Sequence, residues 1–260
     1  MLVTGASSGL GLAAAEALHA AGWTVVGCSR RGTGGSGWRH ERVDVTDEAA
    51  VRRLVGDVVG DHGRLDAVVS AAGWGVAGPV ESTPPTDARE QFDTNFWGTV
   101  HVVQAALGHL RASRGRVVVV SSIAGVVGIP FQATYAASKF ALEGWAESLS
   151  WEVAPFGVHV TLVQPGNFRT GFTDARRSAV DDESGPYREA AGRALARMEL
   201  DERNGADPAR FAKLVAALLE RDRPPLRVSV GSLPERSGLW AKRVLPFRAF
   251  ARVARDALLG

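Results

Sequence analysis

Cysteine is nearly missing from this chain: there is one, Cys28, in 260 residues. A single thiol forbids an internal disulfide and cannot build a metal site by itself, so no metal is expected, a reducing compartment is favoured, and Cys28 reads as a buried strand residue. Long apolar runs are missing too. None approaches the roughly 18 to 20 residues of a membrane span. The first motif starts within a few residues of Met1, leaving no room for a signal peptide, so the expected location is cytoplasmic. Nor is there a block of lysine and arginine like those of nucleic-acid-binding tails. The formal charge is only +2, although the pI is about 9.0, which argues against nucleic acid as a partner. No repeat or low-complexity tract interrupts the chain. What is present, 45% apolar and 22% charged residues, suits one large α/β domain better than two small ones.

Strand and helix patterns alternate along the chain. Leu2-Val3 leads into TGASSGLG (Thr4 to Gly11) and then an alanine-rich helix ending at Gly22. Glycines at 5, 9 and 11 let the backbone turn tightly and approach a phosphate, and the helix N-terminus offers free N–H groups to a pyrophosphate. The spacing is G-x-x-x-G-x-G, not the commoner G-x-G-x-x-G, and by itself it fits a plain turn equally well. The first strand is shorter than usual, so either the chain start is trimmed or the strand is unusually short. Trp23 to Arg31 reads as a second strand ending in Ser29-Arg30-Arg31 with no acidic residue. An acid there would accept from ribose hydroxyls, whereas arginine matches a 2′-phosphate, so NADP(H) is the expected cofactor unless the arginines are merely solvated. RGTGGSG, residues 31–37, reads as a flexible surface turn. Further strands are expected at 41–47, 65–73, around 116–122 and 158–166. Helices are expected from 46 or 47 to about 61, from about 87 to 111, and through Tyr135 to about 154. The alternation implies a parallel sheet covered on both faces, with ligands at the carboxyl ends of its strands.

SIAGVVGIPFQATYAASK, Ser122 to Lys139, carries the chemistry. On a helix, Tyr135 and Lys139 at i and i+4 share a face. Using a phenol near neutral pH means stabilising its anion by roughly 3 pH units, about 4 kcal/mol, and a neighbouring ammonium supplies part of that. Ser122 follows the apolar run Val117–Val120, where a hydroxyl at a strand end faces a cleft. Taken singly, Tyr135 also fits an ordinary half-buried aromatic, Lys139 a solvated residue, and Asn95 either a satisfied amide or a functional one.

TGASSGLG, Asp44-Val45, the AAG turn, Asn95, Ser122, YAASK and PGNFRT, in this order and spacing, resemble the short-chain dehydrogenase/reductase family from Thr4 to about Gly231. The resemblance implies α/β architecture in a single Rossmann-like domain, with a seven-stranded parallel sheet and helices on both faces, its last strand at 227–231. It also implies Tyr135 as general acid or base, with Lys139 lowering its pKa and holding the nicotinamide ribose. Ser122 would orient the substrate oxygen, and Asn95 would hold a water in the relay to Lys139. Gly5, Ser7, Ser8, Gly9 and Leu10 would line the pyrophosphate, Arg30 the 2′-phosphate, and Asp44 and Val45 the adenine. Ala72, Gly73, Pro165, Gly166, Phe168 and Thr170 would complete the cofactor site. One departure is Ser70-Ala71-Ala72-Gly73, which lacks a side-chain amide that commonly braces the sheet there.

GWGVAGPVE, GIPFQATYAASKFALEG and VQPGNFRT look most like the retinol and 17β-hydroxysteroid dehydrogenase branch. An apolar substrate, cyclic or not, is expected, as a secondary alcohol and ketone or a primary alcohol and aldehyde. Its pocket would be walled by Trp74, Ala124, Ile129, Phe131 and Phe172 under a lid at about 171–205. Residues 1–236 would form the catalytic domain. Residues 237–260 mix apolar and basic residues and suit a helix on a membrane surface, over the pocket, against another subunit or packed on its own domain. Pro246 divides that segment into two helices. Homodimers or homotetramers through the helices bearing Asn95 and Tyr135 are the family expectation. The competing function is a non-catalytic NADP sensor or scaffold of the same fold.

Overall fold

The computed structural model describes residues 1–32, 35–180 and 182–259, without side chains at 182–184 and 256–259. The expected turn at 31–37, the lid and the C-terminal extension each fall partly outside the described residues. In chain order the elements are β1 (Leu2–Thr4), α1 (Gly9–Ala20), β2 (Val26–Ser29), β3 (Arg39–Arg42), α2 (Glu48–His62), β4 (Ala67–Ser70) and β5 (Val76–Ala77). Then follow α3 (Pro85–Phe92), α4 (Gly98–Ser113), β6 (Arg116–Val120), α5 (Ala133–Val153), β7 (His159–Pro165), α6 (Phe172–Ala175) and β8 (Arg177–Ser178). The chain finishes with α7 (Arg188–Arg203), α8 (Pro208–Glu220), β9 (Arg227–Val230), α9 (Leu233–Val244) and α10 (Phe247–Leu259).

Seven strands make one parallel Rossmann-like sheet in the order β3-β2-β1-β4-β6-β7-β9. From β1 the chain first winds outward through β2 and β3, then returns to lay β4 on the other side of β1. A crevice opens at the carboxyl ends of the strands where that order reverses. Because side chains alternate across a strand, the apolar run at 117–120 serves two cores. Val117 and Val119 pack with α2, α4 and α5 residues such as Leu54, Val103 and Leu142, whereas Val118 and Val120 pack with Ala14, Leu18, Phe211 and Val215 from α1 and α8.

Three elements differ from expectation. β3 ends at Arg42 instead of spanning 41–47, because its ladder to β2 pairs Val26–Ser29 with Arg39–Arg42. Val43, Asp44 and Val45 therefore lie beyond the strand end, where they line the crevice. The helix expected at about 87–111 is α3 and α4 joined by a π-helical turn, Asp93–Trp97, centred on Asn95. The third is α8, which begins with Asp207 accepting from Ala209 N and Pro208 in the first turn and buries Phe211 completely. The two-residue ribbon of β5 and β8 is also new; it ties the segment after β4 to the lid.

Candidate active site

The crevice is a cleft of about 720 Å³ between the strand ends and the segment from Pro165 to Glu202. Its cofactor-like end is made of main chain. Gly5 has φ 66°, and a Cβ there would stand 2.9 Å from the Ala71 and Ala72 backbone; a Cβ on Gly11 would stand 2.4 Å from the Gly5 carbonyl oxygen. α1 begins at Ser8 with no side-chain cap, so its first N–H groups are offered to the cleft. Such a cradle fits a dinucleotide's pyrophosphate. Arg30 and Arg31 border the same end, and the Arg31 guanidinium donates to the Ser7 and Ser8 hydroxyls at 3.3 and 3.1 Å. The brace that Ser70-Ala71-Ala72 lacks is supplied by hydroxyls. Thr4 Oγ1 accepts from the Ala71 and Ala72 N–H groups at 3.1 and 3.2 Å, and Ser70 donates to Thr99 at 3.0 Å.

Ser122, Tyr135 and Lys139 meet in the cleft beside this cradle. Ser122 leaves β6 in extended conformation and caps a short turn by accepting from Ala124 N. Lys139 Nζ donates to the Val120 carbonyl at 2.9 Å and lies 5.8 Å from the Tyr135 ring centre. Burial pushes Tyr135 up to about 12, opposed by its hydrogen bond to Ser122 and by the Arg176 charge and reinforced by Glu202. Burial likewise lowers Lys139 to about 8, opposed by Glu143. Removing the phenolate from water outweighs the Ser122 hydrogen bond and the Arg176 charge that favour it.

Asn95 does not line the cleft. It is fully buried, its Oδ1 accepts from Trp74 N at 3.0 Å, and its Nδ2 donates to Trp74 O at 3.0 Å and Ser138 Oγ at 3.1 Å. The π turn brings the amide to the Trp74 backbone. Gly5, Ser7, Ser8, Gly9, Leu10, Arg30, Asp44, Val45, Ala72, Gly73, Pro165, Gly166, Phe168 and Thr170 all line the cleft, as do Trp74, Ala124, Ile129 and Phe172. Phe131 does not: in a left-handed conformation, φ 60°, it offers its carbonyl to Gly78 N instead. Its aromatic character made it look like a wall, and its backbone role leaves no signal in composition.

Around the cleft, sequence reasoning did not single out Arg177, Gln132 and Glu202 in its lining or Arg176 behind Phe172. Phe172 packs on Tyr135 with ring centres 5.6 Å apart, and Arg176 lies over Phe172 while pairing with Glu202, both nearly buried. Arg177 covers the Trp74 ring at 4.4 Å and bridges to Asp87 and Glu90. Gln132 reaches Met198 of α7. The amphipathic pattern after Thr170 indicated a lid but not which charges it would bury.

Fold and cleft together define a Rossmann-like dinucleotide-binding domain. A short chain dehydrogenase family model matches residues 1–181, and the chain belongs to that family of oxidoreductases. It is 41% identical over 236 residues to the 3-ketodihydrosphingosine reductase of Bacteroides thetaiotaomicron, covering 90% of this chain and 88% of that protein. The crystal structure of a short-chain dehydrogenase from Streptomyces avermitilis superposes with a TM-score of 0.84 at 33% identity, over 98% of this chain and 96% of that one. ElxO with NADP bound superposes with a TM-score of 0.71 at 26% identity, over 88% and 95%.

Proposed function

We propose that the protein is an NADP(H)-dependent reductase that converts a ketone on an apolar substrate to a secondary alcohol. The observation that carries the reading is the convergence of the Tyr135 phenol, the Ser122 hydroxyl and the Lys139 ammonium beside a glycine cradle flanked by arginines. Bound in that cradle, the cofactor supplies the hydride. Gly5, Ser7, Ser8, Gly9 and Leu10 hold the pyrophosphate, and Arg30 with Arg31 holds a 2′-phosphate, whose charge matches two guanidiniums and no acid. Asp44 and Val45 take the adenine, Ala72 and Gly73 the adjoining ribose, and Pro165, Gly166, Phe168 and Thr170 the carboxamide side. The NADP bound to ElxO supports this choice.

Ser122 orients the substrate oxygen and Tyr135 protonates it as charge develops there. A phenol raised to about 12 by burial is protonated at neutral pH, the form that donates to a ketone oxygen as hydride arrives. Lys139 holds the nicotinamide ribose and keeps positive charge beside the phenol. Asn95, with three hydrogen bonds already made, acts chiefly by fixing the Trp74 turn; a relay water would have only the second lone pair of Oδ1.

Trp74, Ala124, Ile129, Phe172 and Met198 give the substrate end an apolar wall, with Gln132, Asp201 and Glu202 at its polar margin. The Bacteroides relative's name describes a ketone on a long-chain lipid base, which favours an open-chain substrate over a ring. Exposed Trp97, Trp151 and Phe156 on or beside α4 and α5 support a homodimer or homotetramer through those helices, and buried Cys28 supports a cytoplasmic location. The test is oxidation of NADPH, and in parallel NADH, with open-chain, cyclic and small charged ketones, 3-ketodihydrosphingosine included. Turnover with NADPH on long apolar ketones is expected. Preference for NADH would refute the arginine assignment, and preference for small charged carbonyls would refute the substrate class. Tight NADPH binding without turnover on any of them would favour the sensor.

A further inference from the structure

Helix α9 is attached to the body by one side and leaves an apolar stripe open. Leu233, Trp240 and Val244 follow one another at i, i+7 and i+11, on one face of the helix, and are 79%, 67% and 48% exposed. No residue of α9 is buried. The stripe continues through Leu245 to Phe247, 78% exposed at the start of α10. Arg236 and Arg243 flank it with the same seven-residue spacing, and Arg248 and Arg252 follow on α10. These four arginines are exposed and form no ion pair among the described residues. From 236 to 255 the sequence has six basic residues and no acidic one.

The opposite side of α9 holds the helix in place. Glu235 accepts from Asn167 N and Ser232 N at 2.6 Å, fastening the first turn to the cleft loop after β7. Lys242 donates to the Val126 carbonyl and lies 4.9 Å from the Phe140 ring centre. α10 buries Phe250 and packs on α7, which contributes Met198 and Glu202 to the substrate end of the cleft. The stripe thus stands outward, next to the walls of the cleft.

We propose that α9 and the turn into α10 dock the protein on an anionic membrane surface. Trp240, Val244 and Phe247 enter the boundary between headgroups and acyl chains, and Arg236, Arg243 and Arg248 meet the headgroup phosphates. Apolar and aromatic residues beside unpaired arginines are the composition of interfacial helices. A second copy suits the face poorly, because a two-fold contact sets the same patch against itself and would oppose like-charged arginines without an acid to offset them.

The test is co-sedimentation of the full chain with phosphatidylcholine vesicles, with and without phosphatidylglycerol, at low and high salt. Neither cofactor nor substrate is needed, so the result is independent of the reductase assignment. Binding should require phosphatidylglycerol and fade at high salt. Trp240→Ser, and separately the pair Arg236→Glu and Arg243→Glu, should reduce partitioning about tenfold or more, whereas Arg53→Glu on α2 should leave it unchanged. These are exposed positions, and thermal melts of each variant check that folding is kept. Absence of binding, equal binding to neutral vesicles, or indifference to both variants would overturn the proposal. A dimer in sedimentation velocity that Trp240→Ser dissociates would overturn it too, assigning the face to a second copy.

Discussion

Between β1 and α1 the cleft is walled by main chain: the Gly5 turn touches the backbone after β4, and the Gly11 Cα sits against the Gly5 carbonyl. Under α6 and α7 the wall is side chain, with Phe172 on Tyr135, Arg176 on Phe172 and Met198 against Gln132. A backbone wall admits one shape, and any added atom must displace a strand or a helix. A side-chain wall can be recut residue by residue while the strands behind it stay put. The pyrophosphate is the same in every dinucleotide, whereas substrates differ, and each end is built to suit.

That contrast can be broken at either end. Gly11→Val should be most severe. Its Cβ would meet the Gly5 carbonyl at 2.4 Å, so a loss of about 1–3 kcal/mol of stability and of measurable NADPH binding is expected, read by thermal melts and fluorescence titration. Arg30→Ala with Arg31→Ala should weaken NADPH by about 10- to 100-fold, the worth of charge-assisted hydrogen bonds, and leave NADH within about twofold. Phe172→Ala should raise KM for long apolar ketones by roughly tenfold, within the range for an altered apolar pocket, without changing NADPH affinity. An equal loss of cofactor binding would show that the two ends are not separable.

The pH dependence sharpens the same comparison. Lys139, lowered to about 8 by burial, carries its charge below that pH and loses it above. Reductive kcat/KM should fall as pH rises through about 8, and Lys139→Met should be slower and lack that limb. A wild-type profile flat to pH 10 would mean that the ammonium is not needed for turnover.

The backbone end was legible in the sequence for the reason that makes it rigid. Gly5, Gly9 and Gly11 are constrained by φ and contact, and such constraints appear as spacing. Helix periodicity sets Tyr135 and Lys139 on one face, and the order of the motifs around them is what singled them out. Phe131 and Asn95 were less so. Phe131 takes a left-handed backbone conformation that no neighbour in sequence announces, and the π turn that carries Asn95, bonded to the Trp74 backbone, leaves the helical pattern of 87–111 intact. Arg176 and Glu202 lie 26 residues apart and become a buried pair only when α7 folds over α6. Hydropathy reads two charges as solvent-exposed, so this pair could not be foreseen. α8 has a legible start in Asp207-Pro208 and a strong apolar face, but it carries no motif residue.

In the proposed reading the pyrophosphate is held by main chain and the proton is delivered by the Tyr135 phenol. The most direct measurement titrates NADPH binding and ketone turnover side by side for the wild type and Tyr135→Phe. The expected result is an NADPH Kd within about twofold and turnover reduced by about 10²- to 10⁴-fold, the usual worth of a positioned proton donor. Turnover that survives in the variant, or binding and turnover that fall together, would contradict it.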